Sequence, residues 1–282
     1  MLAPRHIIFT ALQGALVDPG PQSWAAASEA LAEVTRQRVP LVLSTTETRA
    51  QIEPLRRKIE HNHPFITESG GGLFLPDGYF SLALEGAARV ARYFCVPFGQ
   101  PYAAATEALA EIAAQARASV VGYSQMSARE LAQNTGESLR EAELSRDREF
   151  SERFFFAGEV PAAATRFADV ARQRGWDAIP GEPFWELRSG NDQGRAVRYL
   201  MQLYRKSMRS RLSSVGIGSA AADLPLLLAV DHPIILPDSR AGLRPELTAR
   251  LRNAVCGSLP GAAGWNEEIL RVLEGRFVKK GS

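Results

Sequence analysis

Short apolar segments alternate with helical patterns, and this alternation constrains the fold of the chain more than any other feature. His6 to Thr10 and Val39 to Leu43 are apolar, rich in β-branched residues and followed by loops, as buried strands are. Between them, with Ser23 as its predicted N-cap, comes a helical stripe of Trp24, Ala27, Leu31 and Val34. The polar stretch from Arg49 to Glu60 is the next predicted helix. This order of β, α, β, α predicts a parallel sheet with helices on both faces.

The same order predicts where a ligand would bind. Ligands of such sheets bind beyond the carboxyl ends of the strands, so the loops that follow Thr10 and Leu43 should share one crevice. The pattern resumes after Gly190 to Gly194 with a helix, a strand at Ser213 to Ile217 and a last strand at Pro233 to Leu236. These later segments are predicted to complete the same sheet.

The middle of the chain predicts an inserted domain, because its 282 residues exceed the roughly 100 to 200 of one typical domain. A strand at Arg92 to Phe98, a helix and a strand at Ser119 to Tyr123 form a first βαβ-like half. Strands at Phe154 to Phe156 and Phe184 to Leu187 flank the helix of a second half. The charged run Gly136 to Glu152 between them is predicted to be a solvated loop or helix face. We therefore expect an α/β core from residues 1–90 and 190–282, and an inserted α/β domain from residues 91–189.

Composition excludes several classes of protein. Hydrophobic residues make up 45% and charged residues 23%, which is typical of globular rather than disordered chains. The net charge of +2 comes from scattered basic residues, so no nucleic-acid partner is expected. The longest apolar run, Leu224 to Val230, contains Pro225 and is far too short to cross a membrane. We therefore expect a soluble protein with no membrane partner.

Cysteine and histidine spacing predicts neither a metal site nor a disulfide framework. Cys95 and Cys256 lie far apart without a CxxC or Cys/His pattern, which favours the cytoplasm as the location. The start, Met1 to Thr10, lacks the long apolar segment and cleavage site of an export signal. The close pair His61 and His63 has no third ligand nearby in sequence and is predicted to lie in a loop or at the surface.

A family resemblance rests on the residues around the first strand. Ile8-Phe9-Thr10-Ala11-Leu12-Gln13-Gly14-Ala15-Leu16-Val17-Asp18 is similar to the first motif of haloacid dehalogenase-like phosphatases, which reads aspartate, any residue, aspartate, glycine, threonine, leucine. Further segments resemble mannosyl-3-phosphoglycerate phosphatases in particular: Ser44 to Arg49, Pro64 to Gly71, Gly78 to Phe80, Arg148 to Glu152, Gly190 to Gly194, Gly218 to Pro225 and Gly264 to Asn266. The resemblance covers essentially the whole chain and implies a Rossmann-like core with a parallel sheet and an inserted C2-type α/β cap.

The chain departs from the first motif at both acidic positions. The resemblance implies that the first aspartate attacks phosphorus and that the second exchanges a proton with the leaving group and water. Ala11 stands at the first position and has no nucleophile. Gln13 stands at the second position and has no titratable proton. The family's aspartyl-phosphate chemistry is therefore predicted to be lost.

Two later motifs depart in the same direction. Gln193 stands where the resemblance places a lysine that offsets the charge of the phosphoryl group. In the fourth motif Ser219 replaces an aspartate, and only Asp223 remains acidic. The family uses Mg²⁺, which usually requires one or two carboxylates among its oxygen ligands. With Ala11 and Ser219 in place of two carboxylates, we expect no metal and no cofactor.

Other residues at matching positions are candidates for ligand binding. Thr45 stands where the second motif offers a hydroxyl to phosphate, and Arg49 and Arg195 supply charge, although ordinary solvated arginines fit the same pattern. The remaining candidates, which also fit a surface charge run or a helix start, are Arg146, Arg148, Glu152 and Asn191. Trp265 matches a late motif, and core packing is its commoner role.

These observations predict a pseudophosphatase that binds a phosphorylated sugar or glycerate-type metabolite, or a protein partner, without hydrolysis. One alternative is a divergent mannosyl-3-phosphoglycerate-type phosphatase with Ser219 or Asp18 as its nucleophile. A second alternative is a structural subunit that docks on a partner through its core or cap.

Overall fold

The architecture comes from a computed structural model that describes residues 5–20, 23–158, 160–181, 184–208 and 211–276. Its strands are β1 Arg5–Ala11, β2 Leu41–Ser44, β3 Phe65–Thr67, β4 Gly72–Pro76, β5 Ala88–Val90, β6 Tyr93–Pro97, β7 Val120–Gly122, β8 Ser151–Phe156, β9 Asp177–Ile179, β10 Trp185–Arg188, β11 Leu212–Gly218, β12 His232–Ile235 and β13 Val255–Cys256. Its α-helices are α1 Ser28–Arg36, α2 Arg49–Lys58, α3 Tyr102–Ala116, α4 Ala128–Thr135, α5 Leu139–Arg146, α6 Val160–Gln173, α7 Gln193–Ser207, α8 Leu224–Leu227, α9 Pro245–Arg250 and α10 Gly261–Leu273.

The larger sheet has the order β13-β12-β11-β1-β2-β3-β4-β6-β5. Its members from β13 to β3 are parallel, whereas β4, β6 and β5 extend the sheet with antiparallel pairs. The short connections from β3 to β4 and from β5 to β6 explain this change, since antiparallel strands need only a tight turn. The central position of β1 places its carboxyl end, at Ala11, in the middle of the sheet edge.

Both faces of this sheet are covered, as the alternation predicts. Ile8 of β1 packs with α1 and α10, where Trp265 is fully buried. Ile7 and Phe9 point to the opposite face and pack with α7, where Leu200 is fully buried. Side chains of a strand alternate between faces, so one short run supplies both halves of the core. The predicted α/β class is confirmed.

The smaller sheet forms the cap, with the order β7-β8-β10-β9 and antiparallel pairing throughout. Helices α3 and α6 cover one face, where Phe154, Phe167 and Leu187 are fully buried. Helices α4 and α5 pack beside the sheet around Leu131 and Ala142. The charged run at Gly136 to Glu152 thus forms α5, which has one exposed face as predicted, but Arg148 and Glu152 near its end are buried.

The sequence assigned one strand to the wrong sheet. The strand predicted at Arg92 to Phe98 forms as β6, but it pairs with β4 and β5 in the core sheet. The limits 1–90, 91–189 and 190–282 stay predictions as domain limits, while the chain leaves the core sheet after Pro97. The first predicted half of the cap thus loses its opening strand. Pairing between distant strands decides sheet membership, and a local pattern does not contain that information.

Two smaller expectations are also wrong. Ser23 does not cap α1, which begins at Ser28 after a 3₁₀ turn at Ala25–Ala27 and has Ala27 at its N-cap position. The strand at His232–Ile235 is not the last in the sheet, because Val255–Cys256 forms β13 beyond it. A two-residue edge strand is too short to give a periodic signal. No helix of the described ranges is long and apolar enough to cross a membrane.

The indole of Trp265 connects α10 to the central strand β1 through a hydrogen bond. Its Nε1–H donates to Thr10 Oγ1 at 2.9 Å in a fully buried setting, and Thr10 Oγ1 donates to the Ala11 carbonyl at 2.8 Å. Trp265→Phe should lower the free energy of unfolding by about 1–3 kcal/mol, since it removes volume and leaves the threonine hydroxyl without its donor. Urea denaturation measures the change.

The matched control is Trp185→Phe, at a half-buried tryptophan of the cap that makes no such buried bond. Equal losses in the two variants would show that ring volume, rather than the bond to Thr10, accounts for the effect.

Candidate active site

The tips of β1 and β2 form one crevice, as the sequence predicts. The amide of Leu12 donates to the Ser44 carbonyl at 3.1 Å, which joins the loop after β1 to the end of β2. Ala11 is 3% exposed, and Gln13 is exposed in the loop beyond it. Thr45 Oγ1 donates to Gln13 Oε1 at 3.1 Å. The methyl group of Ala11 and the amide of Gln13 therefore lie where the resemblance places two carboxylates.

The loop after β11 is held by its one remaining carboxylate. Asp223 Oδ2 accepts hydrogen bonds from the amides of Ser219 and Ala220 at 2.9 and 2.8 Å. Burial raises the pKa of Asp223 to about 6, although both backbone bonds lower it. The hydroxyl of Ser219 faces Gly14, where a Cβ atom would lie only 2.6 Å from it. Glycine at position 14, which has φ of +72°, lets the two loops approach this closely.

Gln193 is the first residue of α7 and is 3% exposed. Its Oε1 is buried and accepts no hydrogen bond from any residue that the structure describes. A buried, unsatisfied carbonyl oxygen costs about 1–3 kcal/mol. The structure therefore places a neutral and poorly satisfied group at the position that carries a lysine in the resemblance.

A buried carboxylate of the core, Glu68 in the connection from β3 to β4, is hydrogen-bonded to the cap. Its Oε1 accepts from the amide of Glu149 at 2.7 Å, and its Oε2 accepts from the amide of Phe150 at 3.0 Å and from Ser151 Oγ at 2.6 Å. Arg148 lies 3.5 Å from Glu68 and 3.3 Å from Glu186, and the side chains of Arg148 and Glu68 are fully buried. This pair connects the end of β3 to the start of β8.

Arg49 makes a second connection of the same kind from the start of α2. Its guanidinium lies 2.9 Å from Glu149 and 3.6 Å from Asp147, both of the cap segment, and 3.2 Å from Glu53 of its own helix. Thr48 adds a hydrogen bond from its hydroxyl to the Leu144 carbonyl at 2.9 Å. In this structure the charges of Arg49 and Arg148 are thus used in joining the two domains.

The other predicted ligand residues are dispersed. Glu152 is buried in the cap and accepts from the amide and hydroxyl of Ser124, both at 2.9 Å. Asn191 Nδ2 donates to the carbonyls of Glu68 and Phe150 at 2.7 and 3.2 Å. Arg146 is exposed on α5, and Arg195 is exposed with its guanidinium 5.3 Å from the centre of the Phe98 ring. Of the predicted set, Thr45 lies directly beside the first motif.

A cleft between core and cap contains charged residues that the sequence reasoning missed. It has a volume of about 660 Å³, and its lining includes Thr46, Ser69, Tyr123, Arg153, Glu186 and Arg188. Arg153 and Glu186 lie opposite each other on β8 and β10. On β8, Phe154 and Phe156 are buried against α3 and α6, so the odd-numbered residues face the other way. The same alternation is visible in the sequence and could have identified Arg153 as a residue on the opposite face of β8.

Glu47 links this cleft to the tip of β1. Its carboxylate accepts a hydrogen bond from Gln13 and is attracted by the charge of Arg153. Its amide donates to Thr45 Oγ1 at 3.1 Å. Burial raises the pKa of Glu47 despite both contacts. A carboxylate that sequence reasoning did not single out thus lies between the degenerate first motif and the cap.

Comparisons with known proteins agree with this architecture. No family model matches the chain. A glucosyl-3-phosphoglycerate/mannosyl-3-phosphoglycerate phosphatase of Methanococcoides burtonii is 30% identical over 269 residues, which cover 95% of this chain and 97% of the relative. A protein of the same name from Persephonella marina is 27% identical over 270 residues, with 95% and 97% coverage. A solved haloacid dehalogenase-like hydrolase of Bacteroides thetaiotaomicron aligns with a TM-score of 0.66 at 15% identity, and covers 96% of this chain and 100% of its own.

The chain belongs to the glucosyl-3-phosphoglycerate/mannosyl-3-phosphoglycerate phosphatase family. The predicted membership of the haloacid dehalogenase superfamily and the core-and-cap fold are confirmed.

The residues at the tip of β1 do not fit the Mg²⁺ that this superfamily implies. Ala11 presents a methyl group, and the Ser219 hydroxyl faces Gly14. Asp223 already accepts two backbone hydrogen bonds through one oxygen. Magnesium requires oxygen ligands in octahedral geometry, commonly with one or two free carboxylates. We therefore derive no step through a metal at this position.

Asp18, one of the two alternative nucleophiles, lines a pocket with Gln13 and Gly14 of the first motif, and its carboxylate is held by the start of α10. Both carboxylate oxygens of Asp18 lie within hydrogen-bonding distance of the Ala262 amide, at 3.2 and 3.4 Å, which fixes Asp18 at the start of α10. The Ser219 hydroxyl makes no hydrogen bond with a basic side chain of the described residues. A serine or carboxylate nucleophile requires a base or an open approach to phosphorus.

Glu149 at the domain junction generates a prediction about pH. Burial raises its pKa to about 7 from 4.5, and Arg49 opposes part of the rise. Between these pH values the folded chain binds more protons than the unfolded chain, so this contribution to stability is present below pH 4.5 and is lost as pH rises towards 7. Glu149→Gln removes the titration. The free energy of unfolding of wild type minus that of the variant should fall by on the order of 1–3 kcal/mol across this range.

Denaturant titrations at several pH values measure this difference. The matched control, Glu143→Gln, replaces an exposed carboxylate of α5, so its difference from wild type should stay flat. A difference for Glu149→Gln that is constant or increases with pH would contradict the prediction.

Proposed function

We propose that this chain binds a phosphorylated sugar or glycerate-type metabolite between core and cap and does not hydrolyse it through an aspartyl-phosphate. The observation that carries the proposal is the buried methyl group of Ala11 at the tip of β1. An in-line attack on phosphorus needs a nucleophile at that point. Gln13 beside it supplies no titratable acid or base.

The cleft supports binding of an anion. Two arginines, Arg153 and Arg188, line it together with the phenol of Tyr123 and the hydroxyl of Ser69. Arg188 Nε is buried and donates to no acceptor among the described residues. Guanidinium groups recognise phosphate and carboxylate through paired N–H donors. The volume of about 660 Å³ is that of a small-molecule site.

The relatives narrow the class of ligand. Their names join a glucosyl or mannosyl group to 3-phosphoglycerate, which is a ligand with hydroxyls, a carboxylate and a phosphate. The lining of the cleft offers partners for each kind of group, since Glu186 and Ser69 suit hydroxyls and the arginines suit the anionic end. A glycosyl-phosphoglycerate is therefore the first ligand to test.

A phosphatase is the second candidate, and the names of the relatives favour it over a loss of activity. In such an enzyme Glu47 would be the candidate catalytic carboxylate, because it lies beside Gln13 and near Arg153. If the chain hydrolyses a phosphomonoester, Glu47→Gln should abolish turnover. The Asp18 carboxylate accepts a hydrogen bond from the Ala262 amide, and the Ser219 hydroxyl faces Gly14.

Binding and hydrolysis are measured side by side with glucosyl- and mannosyl-3-phosphoglycerate in the presence of Mg²⁺. We expect binding by calorimetry and no release of phosphate above the rate of a heat-denatured sample. Arg153→Gln should weaken binding by about tenfold or more, because it removes a charged donor from the cleft. The matched control, Arg172→Gln, replaces an exposed arginine of α6 on the far side of the cap and should bind like wild type.

Sustained turnover that Glu47→Gln abolishes would reject the non-hydrolysing proposal and establish the second candidate. Absence of binding to both compounds would reject a glycosyl-phosphoglycerate as the ligand.

Restoring the four degenerate positions tests the same site from the opposite direction. The combined variant Ala11→Asp, Gln13→Asp, Gln193→Lys and Ser219→Asp should gain Mg²⁺ binding and phosphomonoesterase activity, because it returns the nucleophile, the acid/base, the cation and a metal ligand. Phosphate release with and without Mg²⁺ measures the gain. A variant that lacks only Ala11→Asp is the matched control and should stay inactive. A folded four-site variant without activity would contradict the assignment of these positions.

A further inference from the structure

A second pocket lies at the end of α2, at the opposite end of this helix from the crevice. Helix α2 begins at Arg49 just after the tip of β2 and runs for ten residues, a length of about 15 Å. The pocket lies between its last turn and the turn that joins β5 to β6, and has a volume of about 420 Å³. Its lining includes Arg56, Arg57, Glu60, His61, Arg92 and Tyr93.

The base of this pocket is a buried arginine without a counterion. Arg56 is 3% exposed, and it donates to His61 Nδ1 at 3.0 Å, to Tyr93 Oη at 2.6 Å and to the His63 carbonyl at 3.0 Å. All three acceptors are neutral. No carboxylate of the described part of the chain forms an ion pair with Arg56, and Glu53 attracts it only weakly. A buried charge is costly unless an opposite charge compensates it.

His61 adds no further positive charge to the pocket. Its Nε2 lies 2.7 Å from the Leu41 carbonyl and donates to it, which leaves Nδ1 as the acceptor for Arg56. Burial and the charge of Arg56 lower the pKa of His61 to about 3, so the ring is neutral. The expectation that His61 lies in a loop is correct, but the side chain is buried at 7% exposure rather than at the surface.

Two guanidinium groups converge on one phenol in this pocket. Tyr93 Oη accepts from Arg56 Nη1 at 2.6 Å and from Arg92 Nε at 2.9 Å. These contacts occupy the acceptor capacity of the phenol oxygen and leave its own proton free to donate. The charges of Arg56 and Arg92 repel each other across this oxygen. An anion above the phenol would accept a hydrogen bond from the Tyr93 hydroxyl and would offset the charges of Arg56 and Arg92.

We propose that this pocket is a binding site for a phosphate-type oxyanion, free or at the end of a metabolite. Arg56 and Tyr93 form the base of the site, and Arg92 and Arg57 form its exposed rim. The lining carries three arginines against one carboxylate, Glu60, which is exposed. The planar fork of N–H donors on arginine matches the oxygens of phosphate. This site is separate from the cleft and does not depend on the function proposed there.

Calorimetric titration with inorganic phosphate at low ionic strength tests the site. Wild type should bind phosphate at millimolar concentration or below. Arg92→Gln and Tyr93→Phe should each weaken binding by about tenfold or more, because each removes a donor while leaving Arg56 in place. Both changes avoid Arg56 itself, whose buried contacts make its replacement a risk to folding.

Two controls locate the bound phosphate. Arg89→Gln replaces an exposed arginine on the adjoining strand β5 that pairs with Asp77, and should bind like wild type. Arg153→Gln alters the cleft alone, so phosphate binding that survives in this variant but is weakened by Arg92→Gln belongs to the pocket. The proposal is overturned by undetectable binding to wild type, by unchanged affinity in either Arg92→Gln or Tyr93→Phe, or by a loss confined to Arg153→Gln.

Discussion

The buried carboxylate of Glu68 fixes the relation between core and cap, and the candidate site depends on that relation. Glu68 and its neighbour Ser69 adopt φ of +47° and +58°, a left-handed conformation that is rare outside glycine. Three hydrogen bonds from the cap segment and the charge of Arg148 compensate this strain. Because the same segment continues into β8, the position of Arg153 over the tips of the core strands follows from the way Glu68 is satisfied.

The fold could be predicted from the sequence to the extent that it is written in local periodicity. The apolar runs of β1 and β2 and the apolar stripe of α7 predicted the parallel core and its crevice. Burial on both faces of a sheet produces such a pattern within a few residues of sequence. The placement of β6 and the existence of β13 depend on pairing between distant segments, which that pattern does not contain. Arg148 shows that local patterns do not identify the partner of a charged residue. Tertiary contacts place it against Glu68 rather than in a ligand site.

The degenerate positions are largely accommodated by their surroundings. Gln13 accepts from Thr45 and donates to Glu47, and Asp223 holds its own loop through two amides. Gln193 is the exception, since its buried oxygen accepts no hydrogen bond from the described residues. The sequence alone predicted the loss of charge at these positions. It did not predict Glu47, because a single glutamate after a strand has no pattern of its own.

The distribution of charge determines how a ligand would lie in the cleft. The core side of the cleft is lined by neutral residues, among them Thr46 and Ser69, and Glu47 lies between the cleft and the tip of β1. The cap side offers the guanidinium groups of Arg153 and Arg188 beside the carboxylates of Glu137 and Glu186, with Arg188 3.4 Å from Glu186. A phosphate directed at the tip of β1 would be repelled by ionised Glu47, whereas an anionic group directed at β8 and β10 would meet the guanidinium groups of Arg153 and Arg188. Under the proposed function, affinity therefore comes from the cap, and the phosphate is held away from the point at which the family's chemistry would take place.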